Sequence, residues 1–245
     1  MARIKWILFD CDNTLVLSEE LAFEACAELA NDILEKKGVP DRYTGPILLK
    51  EFVGQNFRGM MVSLTKKYEF TMTDEELNDY VARELGKVIE TLEKKAQPCK
   101  GVIAELEKLH ESKKYQMAVV SSSAISRVKV SISKTGMDKY FNPDHVFSAA
   151  SSLPQPTSKP DPAIYLHACK VLGTEPAACV AVEDSRSGAT AAKRANIPLI
   201  GYVGPYEGKE QAQMEKMLKE ECGAIVVMRH WSEFEECLKK VEEAS

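Results

Sequence analysis

The sequence predicts an α/β fold: a doubly wound, Rossmann-like parallel sheet interrupted by an inserted all-helical domain. Three observations predict it. Ile4 to Phe9 is a nearly continuous apolar run of strand length, the texture of a strand covered by helices on both faces. From Pro98 onward, strand-like and helix-like segments alternate, as a parallel sheet with crossover helices requires. Residues 16–97 carry helical periodicity and no convincing strand. The expected organisation is a discontinuous core, 1–15 with 98–245, and a helical domain, 16–97.

The first strand closes abruptly at the carboxylate of Asp10. Leu21, Ala25, Leu29 and Ile33 then recur at four-residue spacing, predicting a helix over roughly 17–37 that Gly38-Val39-Pro40 stops. Thr73-Asp74-Glu75-Glu76 is a capping-box sequence, and the helix it starts runs through Leu77, Val81, Leu85, Val88 and Leu92 to Lys95. Beyond Pro98 the expected order is helix 102–109, strand 117–120, helix 125–135, strand 145–147, helix 163–172, strand 179–182 and helix 189–195. Strands at 199–203 and 224–228 follow, each with a helix after it, the last near 231–241.

With 44% hydrophobic and 28% charged residues, the composition is that of a folded globular protein and excludes extended disorder. The net charge of -5 disfavours a general nucleic-acid binder, and residues 16–97, with 16 acidic against 11 basic side chains, carry the whole excess. Seven scattered cysteines, an odd number without a C-x-x-C pair, predict reduced, mostly buried thiols. The apolar run Trp6-Ile7-Leu8-Phe9 is too short for a signal sequence or a membrane span. A cytoplasmic protein acting on a small ligand, with no nucleic-acid or membrane partner, is expected; a monomer is compatible with the sequence.

Ligands of a doubly wound sheet bind at the carboxyl ends of the strands. Four sets of polar residues directly follow strand-like runs or sit in the loops between them: Asp10 and Asp12, Ser121, Lys159, and Glu183-Asp184. Converging carboxylates repel one another unless a cation sits among them, and hard oxygen ligands without Cys or His select Mg²⁺. A lysine and a serine at the same crevice supply donors for an anion. Metal, anion clamp and carboxylates together describe phosphoryl transfer.

These residues resemble the four motifs of the haloacid dehalogenase-like (HAD) hydrolase superfamily: Ile7-Leu8-Phe9-Asp10-Cys11-Asp12-Asn13-Thr14-Leu15, then Ser121, Lys159 and Val182-Glu183-Asp184-Ser185, in the family's order. The branch most similar is the one with a helical cap after the first motif, as in beta-phosphoglucomutases and phosphoglycolate phosphatases. The resemblance implies that Asp10 is the nucleophile and becomes an aspartyl-phosphate, and that Asp12 is the general acid and base. It implies Mg²⁺ held by Asp10, the Asp12 carbonyl and Asp184, with Glu183 a direct or outer ligand. Ser121 and Lys159 would bind the phosphoryl group, together with Asn13 and Thr14 of the turn after the nucleophile. Members that cleave carbon–halogen or carbon–phosphorus bonds generally lack the second Asp, so Asp12 implies phosphate esters.

In the insert, Gly54, Gln55, Asn56 and Arg58 resemble the substrate-specificity loop of similar caps, with Lys50 a further cation nearby. The expected function is therefore an Mg²⁺-dependent phosphatase of small phosphorylated metabolites, sugar or organic-acid esters. A phosphomutase is the alternative, but the four histidines, His110, His145, His167 and His230, all lie outside the insert, and Ala22 stands where a mutase would carry its cap histidine. A phospho-accepting regulator is the non-enzymatic alternative; receivers of that type are about half this length and have no insert. Cys11, between the two aspartates, is expected to face packing rather than the site.

Overall fold

Two compact units divide the chain, Met1–Leu17 with Gln97–Ser245 and Ser18–Ala96, and the computed structural model describes residues 4–52 and 55–244. Within the first, β1 (Trp6–Phe9) buries Ile7, Leu8 and Phe9 completely, since it is the interior strand of a sheet covered on both faces. It pairs in parallel with β4 (Gln116–Ser121) on one side and β6 (Cys179–Glu183) on the other. β5 (Val146–Ser148) extends the sheet beyond β4, and β7 (Leu199–Tyr202) and β8 (Val226–Met228) extend it beyond β6. The order β5-β4-β1-β6-β7-β8 makes β1 the point at which the winding reverses, so a crevice opens at the carboxyl ends of β1, β4 and β6.

The crossovers are α5 (Val102–Ser112), α6 (Ile125–Lys134), α7 (Ala163–Leu172), α8 (Arg186–Arg194) and α9 (Gly208–Glu220), with α10 (Phe234–Ala244) closing the chain. Leu8, Ala118 and Val120 pack with Ile164, Tyr165, Ala189 and Ala192 in one apolar core. Phe9 meets Phe141, Trp231 and Phe234 with ring centroids 5.9–6.1 Å apart.

A two-residue antiparallel ribbon, β2 (Val16–Leu17) with β3 (Gln97–Pro98), also belongs to this unit. The sequence expectation of no strand over 16–97 is corrected there, because two paired residues carry no periodicity to read. The seven cysteines are all free and buried. The fold brings Cys169 and Cys179 to a sulfur separation of 3.9 Å, a proximity that their ten-residue spacing does not announce.

Among the described residues, the second unit is built of four helices: α1 (Glu19–Lys36), α2 (Gly45–Glu51), α3 (Phe57–Lys67) and α4 (Asp74–Lys95). The predicted capping box forms, with Thr73 Oγ1 accepting from the Glu76 N–H at 3.1 Å and Glu76 Oε2 accepting from the Thr73 N–H at 2.8 Å. α2 crosses α1 so closely that a Cβ on Gly45 would lie 2.9 Å from the Glu24 backbone nitrogen. Between α1 and α4, Asp32 accepts from the Tyr80 hydroxyl at 2.7 Å, and Lys36, one turn on from Asp32 in α1, donates to both Asp32 and Tyr80 at 2.9 Å. No helix among the described residues is long and apolar enough to cross a membrane.

Candidate active site

Asp10 stands one residue beyond β1, its N–H donating to the Val182 carbonyl at 3.0 Å, which ties the strand end to β6. The chain then turns tightly: the Leu15 and Val16 N–H groups both donate to the Cys11 carbonyl at 3.0 Å, and Asn13 takes a left-handed φ of 55°. Asparagine tolerates that conformation better than most residues. Cys11, between the two aspartates, is buried, and burial pushes its thiol well up, with the flanking carboxylates adding to the effect. It is inert packing.

Lys159 is the hub. Its ammonium donates to Asp10 Oδ1 at 2.7 Å, to Glu183 Oε1 at 2.6 Å and to the Val120 carbonyl at 2.7 Å, so it bridges the carboxyl ends of β1, β4 and β6. Its backbone N–H is anchored on Ser122 Oγ at 3.1 Å, and its side chain is 3% exposed. Burial alone would lower the Lys159 pKa, but the Asp10 and Glu183 charges outweigh it and raise it, so the lysine is a fixed cation.

The carboxylates are raised as well, in their case by burial. Burial raises Asp10, with Asp12 adding repulsion and Lys159 opposing. Burial pushes Glu183 up to about 7 despite Lys159. Glu183 Oε1 also accepts from the Tyr165 hydroxyl, whereas Oε2 has no hydrogen-bond partner among the described residues. Asp184 Oδ2 accepts from Tyr206 at 2.7 Å, and Thr14 Oγ1 lies 3.5 Å from Oδ1. Asp12 accepts from Arg127 Nη2 at Oδ1 and from Ser123 Oγ at Oδ2, both at 2.7 Å.

Asp10, Glu183 and Asp184 each offer a carboxylate oxygen, all within 4.8 Å of one another. Among the described residues, the carboxyl groups of Asp10, Asp12, Glu183 and Asp184 outnumber the cations Lys159 and Arg127 that contact them, an excess of acid that a divalent cation would offset. Hard oxygen donors and an orphaned buried carboxylate oxygen fit such an ion, and the donor set has no thiolate or imidazole to favour a softer one.

The model of the haloacid dehalogenase-like hydrolases matches residues 4–196. The chain belongs to this family. This haloacid dehalogenase-like hydrolase is 31% identical over 194 residues to the phosphorylated carbohydrates phosphatase of Thermotoga maritima, covering 79% of this chain and 82% of that protein. It is 29% identical over 194 residues to the 6-phosphogluconate phosphatase of Escherichia coli (strain K12), covering 77% and 78%. Among solved structures, a HAD hydrolase of family IA, variant 3, from Entamoeba histolytica superposes with a TM-score of 0.74 at 22% identity, covering 98% of this chain and 100% of that one.

Of the residues singled out in the sequence, the structure of this hydrolase gathers Asp10, Lys159 and Glu183 through direct contacts, and Asp184 adjoins them. Ser121 is fully buried at the end of β4, its hydroxyl accepting from the Ser123 N–H at 3.0 Å. Thr14 is fully buried too, its hydroxyl 3.5 Å from Asp184 Oδ1.

The 54–58 segment leads into α3. Gly54 lies outside the described residues. Asn56 is the N-cap of α3, its side chain accepting from the Gly59 N–H at 2.9 Å, and Arg58 lies within that helix, donating to Asn78 at 2.6 Å. Gln55 accepts from Ser63 at 2.9 Å. The amides thus stand at a helix start, and Gln55, Asn56 and Arg58 are exposed there.

Four residues escaped the sequence reading: Ser123 and Arg127 on Asp12, Tyr165 on Glu183, and Tyr206 on Asp184. Ser123 was within reach as the third serine of its run. The others project from α6, α7 and the loop after β7, where no motif spacing points to them.

Proposed function

We propose that this chain is an Mg²⁺-dependent phosphatase of small phosphorylated metabolites, sugar or organic-acid monoesters, working through an aspartyl-phosphate on Asp10. The observation that carries this reading is the Lys159 ammonium bridging Asp10 and Glu183, beside Asp184, at the reversal point of the sheet. A carboxylate in that position has one oxygen pinned by a cation and the other available for attack. Relatives named as phosphatases of 6-phosphogluconate and of phosphorylated carbohydrates support the ester class.

Asp10, Asp184 and the Asp12 carbonyl would hold the Mg²⁺, with Glu183 beside them. Bound there, the ion supplies positive charge against the phosphoryl oxygens. Lys159 fixes the Asp10 carboxylate and binds the phosphoryl group together with Ser121 and the backbone of the turn at Asn13.

Asp10 attacks phosphorus as the ester P–O bond breaks; the leaving oxygen keeps that electron pair and takes a proton from Asp12, departing as the alcohol. Water then attacks phosphorus, gives its proton to the Asp12 carboxylate, and orthophosphate leaves with Asp10 restored. Residues 18–96 are the cap of this enzyme, and a reducing, cytoplasmic setting suits seven free buried thiols.

The test is phosphate release from a panel of sugar, polyol and organic-acid phosphomonoesters, with Mg²⁺ and with chelator. Release that requires Mg²⁺ and prefers one ester class is expected. A native protein that releases phosphate from none of them, with Mg²⁺ present, contradicts the reading.

A further inference from the structure

The Asp12 carboxylate has its own pair of donors. Arg127 Nη2 lies 2.7 Å from Oδ1 and Ser123 Oγ 2.7 Å from Oδ2, one donor to each oxygen, so both the plane and the direction of the carboxyl group are set. The donors are themselves held. Arg127 sits in the first turn of α6, and Ser123 lies in the short link between β4 and that helix. The Ser123 N–H donates to Ser121 Oγ at 3.0 Å and its carbonyl accepts from Ser148 Oγ at 2.7 Å, which fastens the link to the ends of β4 and β5. The Arg127 and Asp12 side chains are 19% and 24% exposed, so this ion pair is partly withdrawn from water, unlike the exposed pairs that contribute little.

We propose that Arg127, seconded by Ser123, is a positioning residue that aims the Asp12 carboxyl group at the leaving oxygen of the ester. This rests on the phosphatase reading and adds to it a residue outside the four motifs. The step it serves is the breaking of the ester P–O bond: the electron pair stays on the leaving oxygen, the Asp12 proton joins it, and the phosphoryl group bonds to Asp10. An alkoxide is a poor leaving group and needs that proton as the bond breaks. A nitrophenolate is a good one and leaves without it. Misaiming Asp12 therefore slows alkyl esters selectively, a discrimination that general damage to the fold does not produce.

The experiment compares kcat and KM of native protein, Arg127→Ala, Arg127→Lys and Ser123→Ala on glycerol phosphate and on p-nitrophenyl phosphate, both with Mg²⁺. kcat/KM reports the steps up to the first irreversible one, which is transfer to Asp10. In Arg127→Ala it is expected to fall about 10- to 100-fold further on the alkyl ester than on the aryl ester, as displacement of a catalytic group by about 1 Å does. Arg127→Lys, which keeps one charged donor, recovers part of that gap, and Ser123→Ala opens a smaller gap in the same direction.

Equal losses on the two esters, or no loss on either, overturn the proposal. So does a rise in KM at unchanged kcat, which would make Arg127 a substrate-binding residue. If Arg127→Ala does not fold, judged by its thermal unfolding, the ester gap in Arg127→Lys and Ser123→Ala decides the question. Native protein inactive on both esters would instead fail the phosphatase reading itself.

Discussion

Glu183 and Gly188 approach so closely that a Cβ added at Gly188 would lie 1.8 Å from Glu183 Oε2. Gly188 is the third residue of α8, where its N–H donates to the N-cap Ser185 Oγ at 3.1 Å, and Glu183 beneath it is fully buried. Glycine is needed there for space, not for backbone freedom. Gly188→Ala is expected to drive the Glu183 carboxylate off its position, loosening the contact with Lys159 and costing about 1–3 kcal/mol as overpacking does. Chemical denaturation measures the stability loss, and kcat should fall with it; a fully stable and fully active variant would contradict this packing.

Lys159→Met removes the cation shared by Asp10 and Glu183. Loss of about 10²- to 10³-fold in kcat is expected, comparable to deleting one preorganised donor to a developing charge. Stability should fall by about 3–5 kcal/mol at about pH 8, because breaking a buried pair leaves its partner charges uncompensated. The loss should shrink at about pH 5.5, where the carboxylates take up protons. Urea unfolding at the two pH values measures this; an equal loss at both would show that the ion pairs are not the source.

Metal and protons compete for the same carboxylates. Burial pushes Glu183 from its ordinary 4.5 up to about 7 and raises Asp10 as well, so both bind protons more tightly in the folded than in the unfolded chain. Their contribution to stability is fully present below the unfolded values and is lost as pH rises through about 7. Metal-free protein should therefore lose stability from this pair over that window. Added Mg²⁺ should raise Tm more at about pH 8 than at about pH 5.5, where protons hold the site. Differential scanning fluorimetry with and without Mg²⁺ checks this, and an equal shift at both pH values would contradict it.

Thr73→Ala deletes one half of the capping box that starts α4. A loss of about 1 kcal/mol is expected, read as a lower denaturation midpoint, and Thr73→Ser should retain most of the stability. Because α4 packs on α1 through the Asp32, Lys36 and Tyr80 contacts, the change is confined to the helical unit and should leave the metal-induced Tm shift in place.

The sequence made the sheet and its chemistry legible for one physical reason: in a parallel sheet, the strand interior is apolar and the first polar residue after it marks the rim. Asp10, Glu183 and Asp184 stand at those rims, and Lys159 in a loop beside them. Helix 163–172 was readable to the residue because its apolar face is regular and Gly173 ends it with a left-handed φ of 62°. α3 was legible in principle, since Phe57, Met60, Met61 and Leu64 follow helical spacing and Asn56 caps them, but its amides and glycines resembled a ligand loop. Arg127, Tyr165 and Tyr206 were not legible. Each reaches the site by the length of its side chain from an element whose placement only the folded chain defines.

The central claim is that Asp10 takes the phosphoryl group, and acid-quenched mass spectrometry of the enzyme during turnover tests it most directly. With a good ester and Mg²⁺, the peptide containing Asp10 should carry the mass of one phosphoryl group, labile to hydroxylamine, and Asp10→Asn should abolish both the label and phosphate release. Unlabelled Asp10 during active turnover, with Asp10→Asn releasing phosphate at the native rate, would contradict the account.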